Sequence, residues 1–168
     1  YSDVIVMRHP QPGSVAEFAK ASRVPVINGG DGPNEHPSQA LLDLYTIRKE
    51  LKANGKSIDN MRIAMVGDLR HGRTVHSLSK LIILYKNITF TLISPKELQM
   101  PQEIVSELKA AGHTVIESES LESGLKDNDT VYLTRIQEER FNTKLEADVY
   151  RGRFRLNQAI YTMHCQPN

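Results

Sequence analysis

The segment MVGDLRHGRTVHSLSK, residues 65–80, joins the end of an apolar run to the start of an amphipathic helix. Charged and polar residues fill the turn between them: Asp68, Arg70, His71, Arg73 and Thr74. A strand that passes through a polar turn into a helix is the unit from which parallel α/β sheets are built. The segment therefore predicts an α/β fold, and its charged turn is the first candidate for a binding site.

Short apolar runs rich in β-branched residues alternate with longer stretches of helical spacing along the chain. The predicted strands are Val4–Met7, Val24–Asn28, Arg62–Val66, Thr89–Ile93, Thr114–Glu117 and Thr130–Thr134. Apolar residues recur at helical spacing in three stretches, from Leu41 to Leu51, from Val75 to Tyr85 and from Ile104 to Ala111. This alternation predicts a doubly wound parallel sheet covered by helices on both faces. Residues 52–60 are the best linker candidate because they are polar and contain Gly and Asn.

The composition limits the classes of partner that the chain can bind. The 168 residues favour one sizeable core, and a formal net charge of +1 offers no broad basic surface for nucleic acid or an anionic membrane. No run approaches the roughly 18 apolar residues of a membrane span. Cys165 is the only cysteine in the sequence, so an internal disulfide is excluded and a cytoplasmic location is expected. Because the chain opens on YSDVIVMRHP, without an initiator methionine, we expect it to be part of a longer one.

Three arginines follow predicted strands, at the edge where open α/β sheets bind their ligands. Arg8 follows the first strand, Arg73 follows the third and Arg135 follows the last. A planar guanidinium binds a carboxylate or a phosphate through two hydrogen bonds. The pattern therefore predicts a site for a ligand with more than one acidic group. The alternative is that each arginine is a solvated surface residue, as most charged residues are.

A second polar group opens the helix predicted within NEHPSQALLDLYTIRKEL, residues 34–51. Pro37 suits the first helical position, which puts His36 at the cap and Gln39 one turn along the same face. An imidazole beside a carboxamide can hydrogen-bond a small group that carries both a carbonyl and an amine. The alternative is that His36 only caps the helix and Gln39 is a surface amide.

Other kinds of site find little support. The six histidines form no H-E-x-x-H motif and no Cys/His cluster occurs, so neither a metal nor another cofactor is expected. The turn GDLRHG lacks the G-x-G-x-x-G spacing of a dinucleotide-binding loop. Asp68 has no base or nucleophile beside it in the sequence, and we interpret it as a residue that shapes its loop.

Four segments of the chain together carry a family likeness: VIVMRHPQPGS, VPVINGGDGPNEHPSQALLDLYTI, MVGDLRHGRTVHS and VYLTRIQEER. They resemble the aspartate carbamoyltransferase family, whose members transfer the carbamoyl group of carbamoyl phosphate to L-aspartate in pyrimidine synthesis. The likeness keeps the family's order and runs from Asp3 to about Phe154. Four long motifs in register make the resemblance specific.

The resemblance implies a role for each residue on the carbamoyl phosphate side. Arg8, in MRHP, matches the arginine that holds the phosphate and the carbonyl of carbamoyl phosphate. His36 and Gln39, in HPSQ, match the pair that contacts the carbonyl oxygen and the amino group. On this basis His36 and Arg8 are the expected catalytic residues, because they stabilise the negative charge that develops on the carbonyl oxygen.

The resemblance also assigns the aspartate side. Arg73, in GRTVHS, matches an arginine that binds one carboxylate of aspartate. Arg135, in TRIQ, matches the arginine that binds the other carboxylate, and Gln137 supports it. The charged turn of the opening segment is then expected to hold a substrate carboxylate.

The implied organisation has two α/β parts. Residues 1–35 are expected to be a remnant of the carbamoyl phosphate domain, 36–54 an interdomain helix, 55–155 a Rossmann-like aspartate-binding domain and 156–168 a C-terminal helical segment. The family's Ser-Thr-Arg-Thr phosphate loop, a later loop with a serine and a lysine, and the His-Pro-Leu-Pro-Arg loop do not occur in the 168 residues. We do not match MHCQPN, residues 163–168, to the His-Cys-Leu-Pro of ornithine carbamoyltransferase, and we expect Cys165 to be an ordinary helix-end residue.

The expected partners follow from the resemblance as well. They are carbamoyl phosphate, L-aspartate, two further copies of the subunit in a homotrimer and, in some members, regulatory or fused chains. The 168 residues alone are expected to be inactive or weakly active. Two alternatives stay open: a noncatalytic module that binds a dicarboxylate or serves assembly, and a carbamoyltransferase with another amine acceptor.

Overall fold

The structure is a computed structural model that describes residues 2–137, 150 and 154–165. Its strands are β1 (Ile5–His9), β2 (Val26–Asp31), β3 (Arg62–Val66), β4 (Thr89–Ile93), β5 (Thr114–Ser118) and β6 (Thr130–Leu133). Its helices are α1 (Ser14–Ala21), α2 (Pro37–Ala53), α3 (Arg73–Ile82), α4 (Gln102–Ala110), α5 (Leu121–Gly124) and α6 (Gln158–His164), with a 3₁₀ turn at Lys96–Leu98. Residues 138–140 of the RIQEER segment and 166–168 of the MHCQPN segment lie outside the described residues.

The strands form two parallel sheets. β1 pairs with β2, and the other four strands pair in the order β5-β4-β3-β6. Because the order reverses at β3, helices cover both faces, as in doubly wound folds. The predicted α/β class with a parallel sheet is therefore confirmed.

The large sheet separates two apolar layers because successive strand residues face opposite sides. Ile63 and Met65 of β3 pack in one cluster with residues of α2, α3 and α4, whereas Ala64 and Val66 pack in the other with Leu121. These four side chains of β3 are fully buried, whereas Arg62 at its start is exposed. This burial explains why the sequence of β3 reads as a continuous apolar run rather than an alternating one.

The predicted strand boundaries agree with the structure where apolar residues define them. The bounds of β3 and β4 agree with the prediction, whereas β1 and β2 extend beyond it. The pairing is irregular at Arg8, Gly29 and Gly30 and resumes between His9 and Asp31, and these residues lack the apolar character of a strand. The helix α1 was not predicted, because it has only eight residues and Val15 is its one buried residue.

The helix α2 connects the two sheets. It begins at Pro37, with His36 as its N-cap, and it packs against both α3 and β2. Ile47 and Leu51 are buried in the cluster that covers the large sheet. Among the described residues, no helix has the length and apolar character needed to cross a membrane.

Candidate functional site

A cleft of about 600 Å³ lies between the carboxyl ends of β1 and β6 and the start of α3. Arg8 reaches it from β1, Arg73 from the first residue of α3 and Arg135 from the segment after β6. Its other lining residues are Pro10, Gly32, Pro33, Thr74, Leu133, Thr134 and Gln137. The structure thus brings together the three arginines that the sequence places near strand ends.

The turn after β3 is built so that the segment after β6 can approach it. Gly67 has a φ of +118°, and a Cβ at this position would lie 2.2 Å from the carbonyl oxygen of Thr134. Glycine alone avoids this clash. The fully buried Asp68 carboxylate then accepts hydrogen bonds from the His71 backbone N–H at 2.9 Å and the Gln137 backbone N–H at 3.3 Å. Asp68 therefore shapes its own turn and ties the segment after β6 to the start of α3.

Gln137 reinforces the same connection with its side chain. Its Nε2 donates to the carbonyl oxygen of His71 at 2.6 Å. Arg135, two residues earlier, is exposed, and its Nη1 donates to the carbonyl oxygen of Ile136 at 3.3 Å. Gln137 therefore holds the segment that carries Arg135 against the turn after β3.

Arg73 links α3 to the loop that follows β2. Its Nη1 donates to the carbonyl oxygen of Gly32. Gly32 has a φ of +61°, its N–H donates to the His9 carbonyl oxygen at 2.8 Å, and a Cβ there would lie 2.1 Å from the carbonyl oxygen of Pro10. Sequence reasoning did not predict this contact between Arg73 and a backbone carbonyl. It shows that the Arg73 guanidinium faces the part of the cleft contributed by β1 and β2.

Arg8 lies at an irregularity in the small sheet. The β1–β2 register shifts between Met7 and His9, so that Gly29 and Gly30 together oppose Arg8. Bulges of this kind redirect a side chain next to a site. The Arg8 side chain is exposed and lines the cleft.

His36 is held at the N-cap of α2 through its backbone. Its N–H donates to the Ser77 hydroxyl at 2.9 Å, and that hydroxyl donates to the Glu35 carboxylate, which also pairs with Lys80. His36 occupies the N-cap position, but its side chain makes no capping hydrogen bond. Ser77, on α3, is a positioning residue that the sequence did not reveal.

The His36 ring lies beside the Arg73 guanidinium. A Cβ on Gly30 would be 3.6 Å from both His36 Cδ2 and Arg73 Nη1. Partial burial, followed by the positive charges of Arg73 and Arg8, lowers the pKa of His36 below 6.5. The imidazole is therefore neutral at pH 7, with one ring N–H to donate.

Gln39 is half-buried and takes part in a chain of polar contacts, so it is not simply a surface amide. Its Nε2 donates to Asp43 Oδ1 at 2.9 Å. The other carboxylate oxygen, Asp43 Oδ2, accepts from the Tyr132 hydroxyl at 2.8 Å. Asp43 and Tyr132 were not predicted to have any role near the site.

The buried carboxylate of Asp31 organises the loop that carries Gly32 and leads to His36. Its oxygens accept four hydrogen bonds, from the backbone N–H groups of Gly13 and Glu35 and from the side-chain amides of Asn28 and Asn34, at 2.9–3.2 Å. Burial by itself would raise the pKa of Asp31, but these donors outweigh it and lower the pKa to about 2.

Replacing Asp31 with Asn should destabilise the chain, because an amide nitrogen would then face two of the four donors. We expect the free energy of unfolding at pH 7 to fall by about 1–3 kcal/mol, measured by urea unfolding. Asp3→Asn, at an exposed position, is the matched control and should change it by less than about 0.5 kcal/mol. Because the folded state lowers the pKa of Asp31, its stabilisation is complete above the unfolded value of 3.8 and is lost as the pH falls towards 2. Equal stability of the two variants at pH 7 would contradict this role.

Within the described part of the chain, no group of three or more His, Cys, Asp or Glu side chains is arranged to hold a metal ion. Cys165 is the C-cap of α6.

Comparisons with known proteins match both parts of the chain to one family. Residues 1–49 match the carbamoyl-P binding domain of aspartate/ornithine carbamoyltransferases, and residues 59–168 match the Asp/Orn binding domain. The chain is 68% identical over 168 residues to the aspartate carbamoyltransferase catalytic subunit of Cellvibrio japonicus and 67% identical to that of Saccharophagus degradans. It aligns over its whole length but spans about half the length of these curated relatives.

Solved structures agree with the sequence comparison. The catalytic subunit of Methanocaldococcus jannaschii aspartate transcarbamoylase superimposes with a TM-score of 0.87 at 42% identity, over 100% of this chain and 56% of the other. Trypanosoma cruzi aspartate transcarbamoylase in complex with carbamoyl phosphate superimposes with a TM-score of 0.86 at 36% identity, over 99% of this chain and 53% of the other.

Proposed function

This chain belongs to the aspartate/ornithine carbamoyltransferase family, and we propose that it forms part of an enzyme that transfers a carbamoyl group to L-aspartate. The donor is carbamoyl phosphate, and the products are N-carbamoyl-L-aspartate and phosphate. Residues 1–35 belong to the carbamoyl phosphate domain, 36–54 form the interdomain helix, 55–155 form the aspartate-binding domain and 156–168 form a C-terminal helical segment.

One observation carries the proposal: Arg8, Arg73 and Arg135 line the same cleft, close to a neutral His36. Three guanidinium groups suit two reactants that together carry a phosphate and two carboxylates. Ornithine has one carboxylate and an additional cationic amine, so a second carboxylate-binding arginine favours aspartate as the acceptor. The relatives named above are aspartate enzymes, which supports the same choice.

The carbamoyl side performs the chemical step. The neutral amine of aspartate attacks the carbamoyl carbon, a C–N bond forms, and the bond from that carbon to the phosphate oxygen breaks. The attacking nitrogen loses one proton, which leaves with the phosphate. Negative charge develops meanwhile on the carbonyl oxygen, where His36 and Arg8 donate hydrogen bonds. Since both donors are in place before the charge develops, they stabilise the transition state more than the ground state.

The aspartate side supplies orientation. Arg73 binds one carboxylate and Arg135 binds the other, while Gln137 holds the segment of Arg135 in place through the His71 carbonyl. Fixing both ends of the acceptor leaves its amine pointing at the carbamoyl carbon and converts a bimolecular encounter into a local reaction. Before aspartate binds, the Arg73 Nη1 donates to the Gly32 carbonyl oxygen, so the guanidinium is already oriented toward the cleft.

The complete subunit is further proposed to act as a cytoplasmic homotrimer, as the family resemblance implies, with sites shared between subunits. On the same basis, regulatory or fused chains are proposed as further partners of the complete subunit. A noncatalytic binding module is the less favoured alternative, because the relatives are named as catalytic subunits.

A chimera tests the proposed reaction directly. These 168 residues replace the aligned half of the Cellvibrio japonicus catalytic subunit, and formation of N-carbamoyl-L-aspartate is measured. We expect a rate within about tenfold of the unaltered subunit, since that margin corresponds to only about 1.4 kcal/mol of barrier. A folded chimera without activity would contradict the proposal.

The 168 residues alone are the comparison sample in the same assay. They contain no Ser-Thr-Arg-Thr phosphate loop, whose charge-assisted hydrogen bonds contribute about 1.5–3 kcal/mol each. We therefore expect weak turnover or none. Turnover equal to that of the chimera would show that the phosphate loop is dispensable.

A further inference from the structure

We propose that Asp43 and Tyr132 are positioning residues that orient the side-chain amide of Gln39, and through it the carbamoyl group. The inference rests on the function proposed above and adds two residues to its site. It is supported by a hydrogen bond between Tyr132 of β6 and Asp43 of α2, which are 89 residues apart in sequence.

The Asp43 carboxylate determines which way the Gln39 amide faces. An ionised carboxylate only accepts hydrogen bonds, so the atom of Gln39 that lies 2.9 Å from Asp43 Oδ1 is the NH₂ group. The two heteroatoms of an amide diverge from one carbon, so the carbonyl oxygen Oε1 is directed away from Asp43. Gln39 therefore presents an acceptor to its other neighbours.

An acceptor at this position selects one orientation of the carbamoyl group. The amino group of carbamoyl phosphate donates to Gln39 Oε1, and the carbonyl oxygen is then left to the donors His36 and Arg8. The reversed amide would present a donor to that amino group, which has hydrogens of its own. The Asp43 contact thus favours the arrangement in which the developing negative charge meets its stabilising donors.

Tyr132 fixes the second oxygen of the same carboxylate. Its hydroxyl donates to Asp43 Oδ2 at 2.8 Å, and its ring packs against the apolar cluster beside the large sheet. In β6 it pairs in register with Met65 of β3, so it stands on a strand of the sheet rather than on a loop. Burial, with the Asp43 carboxylate, raises the pKa of Tyr132 to about 12, against an opposing hydrogen bond with Thr74. The hydroxyl therefore remains a donor throughout the pH range in which an enzyme is assayed.

A double-mutant cycle in the chimera tests whether Tyr132 acts through Gln39. The variants are Tyr132→Phe, Gln39→Ala and the two combined. Tyr132→Phe is expected to lower kcat by about tenfold, the equivalent of one hydrogen bond, with the aspartate KM changed by less than about twofold. In the Gln39→Ala background the same change is expected to lower kcat by less than about twofold, because its target is gone.

Tyr85→Phe is the matched control. Tyr85 is also half-buried against the same apolar cluster, but it lines a different pocket, together with Arg48 and Lys52. Its substitution is expected to leave kcat and KM unchanged. Asp43→Asn provides a second route if Tyr132→Phe does not fold, because an amide at this position retains only one acceptor. Its effect is also expected to disappear in the Gln39→Ala background.

The outcomes separate the inference from the function on which it rests. An equal loss of kcat with and without Gln39 would overturn the inference, since Tyr132 would then act on the fold alone. An unchanged kcat in either Tyr132→Phe or Gln39→Ala alone would overturn it as well. A folded unsubstituted chimera without activity would overturn the proposed function and this inference together.

Discussion

Replacing Arg73 with Ala in the chimera is expected to raise the aspartate KM by about 10²- to 10³-fold, because the charge-assisted hydrogen bonds lost are worth about 1.5–3 kcal/mol each. The KM for carbamoyl phosphate is expected to change far less. The reason for the difference is the proposed role of Arg73, at the first turn of α3, in binding a carboxylate of aspartate. Initial rates with each substrate varied at saturating levels of the other provide the measurement.

Arg70→Ala is the matched control for Arg73→Ala. Arg70 belongs to the same turn and carries the same charge, but it is exposed, and its Nη1 lies 3.4 Å from the Glu97 carbonyl oxygen. Its removal is expected to leave both KM values within about twofold, as for most surface changes. Equal weakening of both substrates by Arg73→Ala would contradict the assignment of Arg73 to aspartate.

His36→Ala should act mainly on turnover. Removing one preorganised donor to a developing oxyanion typically costs about 2.7–4 kcal/mol, so kcat is expected to fall about 10²- to 10³-fold. The aspartate KM should change little, because His36, at the start of α2, is proposed to contact the carbamoyl group rather than aspartate. Single-turnover kinetics would show whether the loss lies in the chemical step.

His36→Gln is the informative companion of His36→Ala. Its amide keeps a neutral N–H donor, as the imidazole is neutral at pH 7 with its pKa below 6.5. We therefore expect His36→Gln to recover part of the lost kcat. A rise in the aspartate KM with unchanged kcat in His36→Ala would contradict a role in stabilising the carbonyl oxygen.

The parts of the fold that can be predicted are those whose residues form a run or a regular spacing of apolar residues along the sequence. The bounds of β3 follow from a continuous apolar run and those of β4 from a run of β-branched and apolar residues, because both faces of the large sheet are covered. The extensions of β1 and β2 lack this signal, since backbone pairing continues through polar residues and glycine. The helix α1 is short and mostly exposed, so it has too few buried apolar positions to establish a helical pattern.

The candidate site also has residues that can be predicted from the sequence and contacts that cannot. The convergence of Arg73 and Arg135 follows from a topological rule, that the carboxyl ends of parallel strands share one edge of a sheet. Arg8 belongs to the other sheet, so its approach to the same cleft does not follow from this rule. The supporting contacts depend on pairs of residues far apart in sequence, such as His36 with Ser77 or Asp43 with Tyr132. No spacing within one segment reveals such pairs.

The most direct test of the account is the choice of acceptor by the chimera. Carbamoyl transfer is measured with L-aspartate and with L-ornithine at the same saturating carbamoyl phosphate. Because Arg73 and Arg135 both line the cleft and each is assigned a carboxylate, we expect turnover with aspartate and none above background with ornithine. Faster turnover with ornithine than with aspartate would contradict it.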